Sequence, residues 1–545
     1  MTRSWLLLFP VGLVAFAAVH VFQASGARDV LSPFHPLTGT AVRFVAPGWA
    51  CRLSPCSYQW TATDGHGHSA VLGAQRAIAR AFYAPGPYRV RLTVTDRAGH
   101  RSSKTTTVKV SGLALSPSFV GPRYYARFSH GPAASMGYFP ILTYQLNLGQ
   151  WSQLPARIKA MGVSGIDDAY DQSDQNNFRI ADRHGFTLNI NGSIARRAHS
   201  RAVASYAMLD EPNSRGSQYA ASSCSSSNDT CGQAYVNDAN AYRASDPTRP
   251  VWGNFTKDVD EWSYPPSGWS APAYAQHMRA MLGSLNVVSA DYYGWTDPYE
   301  WSQGTGQGTG HYGAWVYGHT IARMNYYNPS IPAYGFVECC DSLDGNGTKK
   351  PTNEMMPGML EAAIWNILVH GGRGYVFWTT NFWDSSRGGD PYADPYAGAS
   401  YQGGWALYGE HQWDPQYNRA RQVDGEVKSM ARDLNSPTVA GIRAGSSTRV
   451  PVAALGKQVH GKLWLLVQAD GNGTHPLSNT APMTATITLP NSVPAGTVLD
   501  VVGEHRTVTV NSRHQFTDSF TITTETPFSG NPITYGYQHH VYAAR

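Results

Sequence analysis

The chain has 545 residues, of which 42% are hydrophobic, 14% are charged and 12% are aromatic. This length exceeds what one compact core holds, so we expect about three or four domains. The formal net charge is +5 and no run of lysine and arginine occurs, which argues against nucleic-acid binding. The chain has few charged residues but 16 tryptophans and 31 tyrosines, and this composition favours neutral, hydroxyl-rich ligands.

Residues 1–27 have the layout of a secretory signal peptide, with a basic start at Arg3, an apolar stretch, and small residues up to Ala27. The apolar stretch is long and Pro10 interrupts it, so a retained membrane anchor is the alternative interpretation. No later segment approaches the ~20 apolar residues of a membrane span. We therefore expect a secreted or periplasmic protein that leaves the membrane after cleavage.

Cysteine usage fits that oxidising setting, because the six cysteines fall into three local pairs. The pairs are Cys51 with Cys56, Cys224 with Cys231, and Cys339 with Cys340. We expect the first two pairs to be disulfides that each close a loop, whereas the adjacent pair is either a vicinal disulfide or two thiols. None has the paired C-x-x-C spacing of a zinc site, so we expect no metal and no other cofactor.

Residues 28–112 follow the pattern of an all-β unit, in which "YRVRLTVTDRAG" alternates apolar and polar residues before a turn at 96–99. The unit resembles the polycystic-kidney-disease-type (PKD) immunoglobulin-like module. That resemblance implies a β-sandwich that serves as a spacer or a carbohydrate-facing accessory, and not as a catalyst. The matching residues are Trp60, Asp64, Gly65, Tyr83, Gly86, Tyr88, Val90, Leu92, Val94 and Asp96.

Residues 113–436 alternate short apolar runs with longer amphipathic ones, as βα repeats do. A closed (β/α)8 TIM barrel is the fold that eight such strands predict. Residues 437–545 return to alternating strands and predict a C-terminal β-sandwich, so the expected fold class is a multidomain chain with a central barrel. The predicted barrel strands are 137–143, 163–170, 186–192, 205–212, 251–256, 286–293, 332–338 and 374–380.

Catalytic groups of such a barrel come from the C-terminal ends of its strands. Two carboxyl groups that face each other across a sugar are the working parts of glycoside hydrolysis, one protonated and one ionised. We therefore predict Glu211 and Glu338 as catalytic residues, after the fourth and seventh strands. Near the same strand ends we predict substrate-binding residues at Asp168, Asn191, Asp210, Tyr292, Tyr293, Trp295 and Trp378.

The strings "MLDEPN" (208–213) and "PAYGFVE" (332–338) resemble those of the large clan of retaining glycosidases with (β/α)8 barrels. That clan carries its acid/base Glu after the fourth strand, usually in Asn-Glu-Pro, and its nucleophile Glu at the end of the seventh. The resemblance implies that Glu211 is the acid/base, that Glu338 is the nucleophile and that Trp378 floors the sugar subsite. It also implies that Tyr292 or Tyr293 hydrogen-bonds the nucleophile.

Asp210 departs from the clan pattern, in which an Asn at this position binds the 2-hydroxyl of the substrate. A carboxylate accepts a hydrogen bond from a hydroxyl but cannot donate one as an amide does. The departure leaves open that Asp210 is the functional acid and Glu211 its neighbour.

These patterns predict a secreted, monomeric glycoside hydrolase acting on an oligo- or polysaccharide, with no nucleic-acid partner. The alternative is a non-catalytic carbohydrate-binding or wall-associated protein on a decayed glycosidase barrel, although both acids are present. A peptidase or esterase is disfavoured, because the sequence has no G-x-S-x-G elbow and no H-E-x-x-H helix. The sugar, its linkage, and endo or exo action stay open.

Overall fold

The structure is a computed structural model, and the chain divides near residue 111 into two compact units. The signal-peptide prediction lies outside the described residues. Among the residues that are described, no helix is long and apolar enough to cross a membrane. The described residues are 42–46, 51, 53–63, 69–80, 82, 86–110, 121–144, 148, 152–167, 175–191, 200–214, 217–256, 259, 269, 271–293, 314–339, 341–343, 349–379, 406–409, 414–447, 452–470, 483–521, 523–525 and 535–545.

The first unit is built from antiparallel strands, as its alternating sequence predicts. Four of them form one sheet in the order β3-β2-β5-β6, and β1 pairs with β4. One face of the larger sheet buries Trp60, Val90, Leu92 and Val94, which pack together in the core of the unit. The strands are β1 Val42–Val45, β2 Ser57–Thr63, β3 Ser69–Gly73, β4 Ala77–Arg80, β5 Gly86–Thr95 and β6 Arg101–Val110.

The predicted turn at 96–99 joins β5 to β6. The Asp96 carboxylate accepts hydrogen bonds from the backbone amides of Ala98 and His100, at 2.9 and 3.0 Å. Gly99 has φ +84°, a left-handed conformation that glycine adopts without steric cost. The side-chain acceptor and the glycine together fix the register of this hairpin.

The second unit contains a closed barrel of eight parallel strands, in the order β10-β11-β12-β13-β16-β7-β8-β9. Neighbours in sequence are neighbours in the barrel, as βα repeats require. The barrel strands are β7 Ile141–Tyr144, β8 Gly165–Asp167, β9 Thr187–Asn191, β10 Val203–Ala207, β11 Val251–Thr256, β12 Val287–Asp291, β13 Ala333–Glu338 and β16 Tyr375–Trp378. A hairpin of β14 Asp341–Leu343 and β15 Lys349–Glu354 follows β13.

Helices lie between the strands and after the last one. They are α1 Leu154–Met161, α2 Gln175–His184, α3 Thr230–Ser245, α4 Ala271–Gly283, α5 Trp315–Tyr327, α6 Pro357–Val369, α7 Ala406–Gly409, α8 Asp414–Ser429 and α9 Ala431–Leu434, with 3₁₀ helices at Gly121–Arg127 and Ala221–Ser223.

All eight predicted barrel strands are present, but the fourth ends earlier than the sequence suggested. The prediction carried it through 205–212, with Asp210 and Glu211 inside it. In the structure β10 ends at Ala207, and Leu209 is 49% exposed. The apolar run therefore continues past the strand, and both acids lie on the loop that follows it.

The C-terminal strands form two sheets that share a core built around Leu465, Ile487 and Phe516. One sheet has the order β17-β19-β20-β26-β22-β23, with β25 also paired to β26, and the other has the order β18-β21-β24. The strands are β17 Thr438–Val439, β18 Arg443–Ser446, β19 Val452–Val459, β20 Lys462–Asp470, β21 Met483–Thr488, β22 Val498–Val501, β23 Arg506–Thr509, β24 Gln515–Phe520, β25 Thr523–Glu525 and β26 Tyr535–Ala544.

Helix α6 lies between the barrel and these C-terminal strands. It is buried from Gly358 to Val369 on every side, because it packs on β13 of the barrel and also on β20 and β26. Asn366 donates from Nδ2 to Gln468 Oε1 at 2.8 Å, and Gln468 returns a hydrogen bond to the Ala362 carbonyl at 3.0 Å. The barrel and the C-terminal sandwich thus share one apolar helix.

Candidate active site

The C-terminal mouth of the barrel collects most of the residues that the sequence singled out. Glu338 is the last residue of β13 and Trp378 the last of β16, while Glu211 lies four residues past β10. Because all eight strands are parallel, these ends share one side of the barrel. Asp168 and Trp295 lie outside the described residues, and the side chain of Asn191, the last residue of β9, also lies outside them.

Glu211 has an unusual backbone conformation. Its φ is +46°, in the left-handed region that residues with a side chain seldom adopt, and it precedes Pro212, a position that favours extended backbone. Its amide donates to the carbonyl of Asn254 on β11 at 3.1 Å, and its own carbonyl accepts from the amide of Ser214 at 3.0 Å. Such strain is concentrated at functional sites, where surrounding contacts hold it.

The loop that carries Glu211 is fastened to β11 by a second residue. The Nδ2 of Asn213 donates to Thr256 Oγ1 at 3.0 Å, and its Oδ1 accepts from the Thr256 amide at 2.9 Å. Asn213 is buried. The side chain of Asn213 therefore takes the place of a backbone partner after β10 has ended, which keeps the acid-bearing loop along the mouth.

Asp210 is held by two donors. Tyr144, at the end of β7, donates to Oδ2 at 2.7 Å, and Asn254 Nδ2 donates to Oδ1 at 2.9 Å. Asn254 Oδ1 in turn accepts from Ser289 Oγ at 2.8 Å, and Ser289 Oγ accepts from Trp252 Nε1 at 2.7 Å. This directional chain fixes the side-chain amide of Asn254 and stabilises Asp210 as an acceptor.

Asp291, the last residue of β12, lies beside Glu211. The register places it next to Thr256, and its carboxyl is within hydrogen-bond reach of the Glu211 carboxyl. Its buried Oδ1 has no hydrogen-bond partner among the described residues. Burial, followed by the negative charges of Glu211 and Asp210, raises the pKa of Asp291 well above its usual range. Asp291 therefore keeps its proton to higher pH than an exposed carboxyl does.

Glu338 is buried, with 1% of its surface exposed. The hydroxyl of Tyr317, on α5, donates a short hydrogen bond to its Oε2. The ring of Tyr292 packs edge-on against Tyr317, with centroids 6.4 Å apart. Tyr292, one of the two tyrosines expected to bond the nucleophile, thus contributes a ring that packs beside the Tyr317 hydroxyl.

Aromatic rings form a wall beside these carboxyl groups. Trp378 stacks on Tyr144, with centroids 5.1 Å apart, and packs against Tyr293 at 5.5 Å. Burial, and then the charges of Asp291 and its neighbours, raises the pKa of Tyr293 well above its usual range. Tyr293 is therefore a neutral phenol at the mouth, near the acidic loop.

A second polar chain lies inside the barrel, on β8, β9 and β10. Ser205 Oγ donates to Asn189 Oδ1 at 2.9 Å, and Asn189 Nδ2 donates a short hydrogen bond to Asp167. All three side chains are buried. The carboxylate of Asp167, the residue before Asp168, is oriented by this chain.

The described residues contain no group of three or more His, Cys, Asp or Glu side chains arranged to hold a metal ion. The structure joins Cys51 to Cys56 and Cys224 to Cys231. Cys339 is also disulfide-bonded, to a partner outside the described residues. These disulfides agree with the oxidising setting that the cysteine spacing indicated.

The sequence did not reveal four contributors to the site: Tyr144, Asn254, Asp291 and Tyr317. Asn254 stands out in "VWGNFT" as the one amide in an otherwise apolar strand, and that signal was available. Tyr317 had no signal, because it comes from a helix and not from a strand end. Asp291 lies near the end of the predicted strand 286–293 and was given no role there, and only the structure brings it against Glu211.

Comparison with known proteins identifies the first unit. The family model of the PKD domain matches residues 38–110, which confirms the resemblance of that segment. No significant match was found among curated proteins.

Several solved structures have a similar arrangement. A proposed alpha-galactosidase from Bacteroides fragilis has 14% identity over 96% of this chain and 98% of its own, with a TM-score of 0.34. A family 39 glycoside hydrolase from Bacteroides cellulosilyticus has 9% identity over 94% of this chain and 100% of its own, with a TM-score of 0.34. A beta-glucuronidase from Ruminococcus gnavus has 10% identity over 62% of this chain and 58% of its own, with a TM-score of 0.29. Likeness at this level carries no statement about activity, which has to come from the side chains.

Proposed function

We propose that this protein is a retaining glycoside hydrolase, in which Glu211 is the acid/base and Glu338 the nucleophile. The observation that carries the proposal is the backbone of Glu211: a left-handed conformation before a proline, held by β11, at the same barrel mouth as the buried Glu338. Two carboxyl groups at one mouth are what glycoside hydrolysis requires.

The surroundings of the two glutamates support different roles. Asp291 lies beside Glu211, and its pKa is raised well above the usual range by burial and then by the charges of Glu211 and Asp210, so the acid side of the site carries a carboxyl that stays neutral. Tyr317 donates to one oxygen of Glu338, which orients the carboxylate for attack on the anomeric carbon. Trp378, stacked on Tyr144, would form the floor of the sugar subsite.

The reaction follows from these positions. Glu338 attacks the anomeric carbon while Glu211 gives its proton to the glycosidic oxygen, and the bond to the leaving sugar breaks. The glycosyl ester on Glu338 is then attacked by water, whose proton returns to Glu211, and free Glu338 is restored. Asp210, with both oxygens held, would accept a hydrogen bond from a substrate hydroxyl. Asp168, Asn191, Tyr292, Tyr293 and Trp295 complete the proposed binding residues.

We further propose the organisation in which this chemistry operates. A leader at 1–27 would be removed on export, leaving the PKD module at 28–112, the catalytic barrel at 113–436 and the β-sandwich at 437–545. The mature chain would act outside the cell or in the periplasm, as a monomer, on an oligo- or polysaccharide.

A substitution series on an active substrate, found with a polysaccharide panel, tests the two roles. Glu338→Ala should abolish turnover of every substrate, because nothing else can form the glycosyl ester. Glu211→Ala should impair substrates with poor leaving groups far more than activated aryl glycosides. Azide should restore Glu211→Ala with retained configuration and Glu338→Ala with inverted configuration. Binding without turnover across the panel would instead favour the non-catalytic alternative.

Two further results would refine the assignment. The carboxyl groups of Glu211 and Glu338 should lie about 5–5.5 Å apart in a crystal structure, whereas roughly 6.5–9.5 Å would indicate inversion. Asp210→Asn should keep substantial activity if Asp210 only binds a hydroxyl. A dead Asp210→Asn beside a fully active Glu211→Ala would transfer the acid role to Asp210.

A further inference from the structure

The PKD unit exposes one whole face of its four-stranded sheet. The pairing of β2, β3, β5 and β6 places every second residue of each strand on that face, and the opposite face carries the buried core. Four of the outward side chains are cationic: Arg89, Arg91, Arg101 and Lys109. The other described ones are serine, threonine and glutamine, with one proline and one valine, and none is acidic. We call this surface the basic face.

The cations are arranged in a pattern along β5 and β6. Arg91 has Thr61 and Thr105 as its direct cross-strand neighbours. Lys109 lies opposite Pro87, one diagonal step from Arg89, and such a step spans about 7–8 Å. Arg101 lies at the far end of β6. The positive charge thus follows the strands, with hydroxyl-bearing side chains around it.

Internal ion pairing does not account for these charges. Arg89, Arg91, Arg101 and Lys109 are exposed, and none forms an ion pair with a described residue. Arg91 donates from Nη2 to Ser103 Oγ at 3.2 Å, which aligns its guanidinium over the face. Like charges one step apart on a sheet repel each other, so the pattern does not stabilise the module.

Protection of the sheet edge explains only part of the pattern. Charged residues on an edge strand prevent pairing with another chain, and β6 is an edge strand that carries Arg101 and Lys109. Arg89 and Arg91, however, are on β5, which is paired on both sides. Arg89 and Arg91, same-face neighbours on a strand that is paired on both sides, therefore need another explanation.

We propose that the basic face binds an anionic polysaccharide, a polymer of uronic acids. Arginine presents a planar fork of donors that matches a carboxylate, and the serine and threonine hydroxyls would bond the sugar hydroxyls between carboxylates. Single-stranded nucleic acid is disfavoured, because such sites stack bases on aromatic rings. Tyr58 and Tyr88 belong to the opposite face, where they pack against the core. The proposal does not rest on the glycosidase activity of the barrel.

Affinity electrophoresis of the whole chain, through gels containing polygalacturonate, tests this surface. The double variant R89Q/R91Q should bind the polymer at least about tenfold more weakly than the unaltered protein, because two charge-assisted contacts are lost. The matched control R76Q/R97Q removes the same charge from exposed positions off the face, and should change binding by less than about twofold. Methyl-esterified polygalacturonate, which lacks the carboxylates, should not retard the protein.

Several outcomes would overturn the proposal. They are equal loss in the two double variants, no binding of the unaltered protein, or tighter binding of an oligothymidylate than of polygalacturonate. Added salt should release the complex, since screening shortens electrostatic reach from about 30 Å at 0.01 M to about 3 Å at 1 M. Unchanged near-ultraviolet circular dichroism and an unchanged melting curve verify that both variants are folded.

Discussion

Asn254 contacts both residues of the Asp210–Glu211 pair. Its backbone carbonyl accepts the amide of Glu211 at 3.1 Å, and its side-chain amide donates to Asp210 at 2.9 Å. One residue of β11, the fifth barrel strand, thus holds the loop that follows β10, the fourth barrel strand. The Ser289 hydroxyl holds the Asn254 side chain in turn, so the arrangement has a defined orientation.

Asn254→Ala should lower kcat/KM by roughly 10–100-fold, because Asp210 loses a donor and the acid-bearing loop loses its brace. The loss should be larger for substrates with poor leaving groups, since these depend on the position of Glu211. Asn237→Ala, on the exposed surface of α3, provides the control and should keep full activity. Equal losses for both leaving-group classes would mean that Asn254 does not act through the acid.

Asp291→Asn should flatten the alkaline limb of the kcat/KM profile measured with a poor leaving group. Burial, followed by the charges of Glu211 and Asp210, raises the pKa of Asp291 well above its usual range, so Asp291 gains a negative charge beside Glu211 only at high pH. An amide at this position cannot titrate, so that change is absent from the variant. An activated aryl glycoside should show no such change. A profile that is unchanged with a poor leaving group would contradict the role.

Tyr317→Phe should reduce kcat/KM by roughly 10–100-fold for all substrates, because Glu338 loses the hydroxyl that orients it. Uniformity across leaving groups distinguishes this residue from Asn254, which acts on the acid side. Tyr326→Phe, 37% exposed on the same helix, is the matched control. Should Tyr317→Phe behave like the control, the bond to Glu338 has no catalytic consequence.

Asp424 gives a stability prediction that is independent of catalysis. It is buried on α8, accepts a hydrogen bond from Tyr375, and burial raises its pKa well above the usual range. The native state therefore keeps this proton while the unfolded chain loses it near pH 4, so stability falls as the pH rises above that value. The amide of Asp424→Asn cannot titrate. The melting temperature of this variant, taken relative to that of the unaltered protein, should therefore rise by about 1–3 °C between pH 5 and pH 8.

Asp246 provides a control of opposite sign for that measurement. Burial alone would raise its pKa, but hydrogen bonds from Thr248, Tyr206 and Arg249 lower it to about 2. Its contribution is present above the unfolded value of about 4 and is lost as the pH falls towards 2. Asp246→Asn should therefore destabilise at neutral pH and lose that effect in acid. Two melting differences that do not vary with pH would contradict both assignments.

Sequence reasoning found the barrel strands because each is a short apolar run between polar segments, and that signal depends only on local burial. It placed the end of the fourth strand too late, because Met208 and Leu209 continue the apolar run. What ends β10 is the contact of the following loop with β11, through Asn213 and Thr256, which is a long-range interaction. The hydrophobic pattern of residues 205–212 does not indicate such a distant partner.

The residues of the candidate site also fall into those that the sequence indicates and those that only the structure shows. Glu211 and Glu338 were visible because each lies at or close to the end of an apolar run in the sequence. In the sequence, Asp291 is one acid at the end of a strand, and only the closed barrel brings it beside Glu211. Tyr317 lies on a helix, and only the packing of that helix brings its hydroxyl to Glu338. Pairings of this kind arise from the curvature of the barrel and the packing of helices on it.

Helix α6 limits how this protein can be divided in the laboratory and in evolution. Trp365 stacks on His539 with centroids 3.9 Å apart, and Asn366 reaches Gln468, so the C-terminal strands cover a helix that the barrel leaves open. A chain ending at residue 436 would expose that helix to water and would aggregate. The segment from 113 to 545 should therefore melt in one transition and be inherited or transplanted whole, whereas the PKD module has a core of its own.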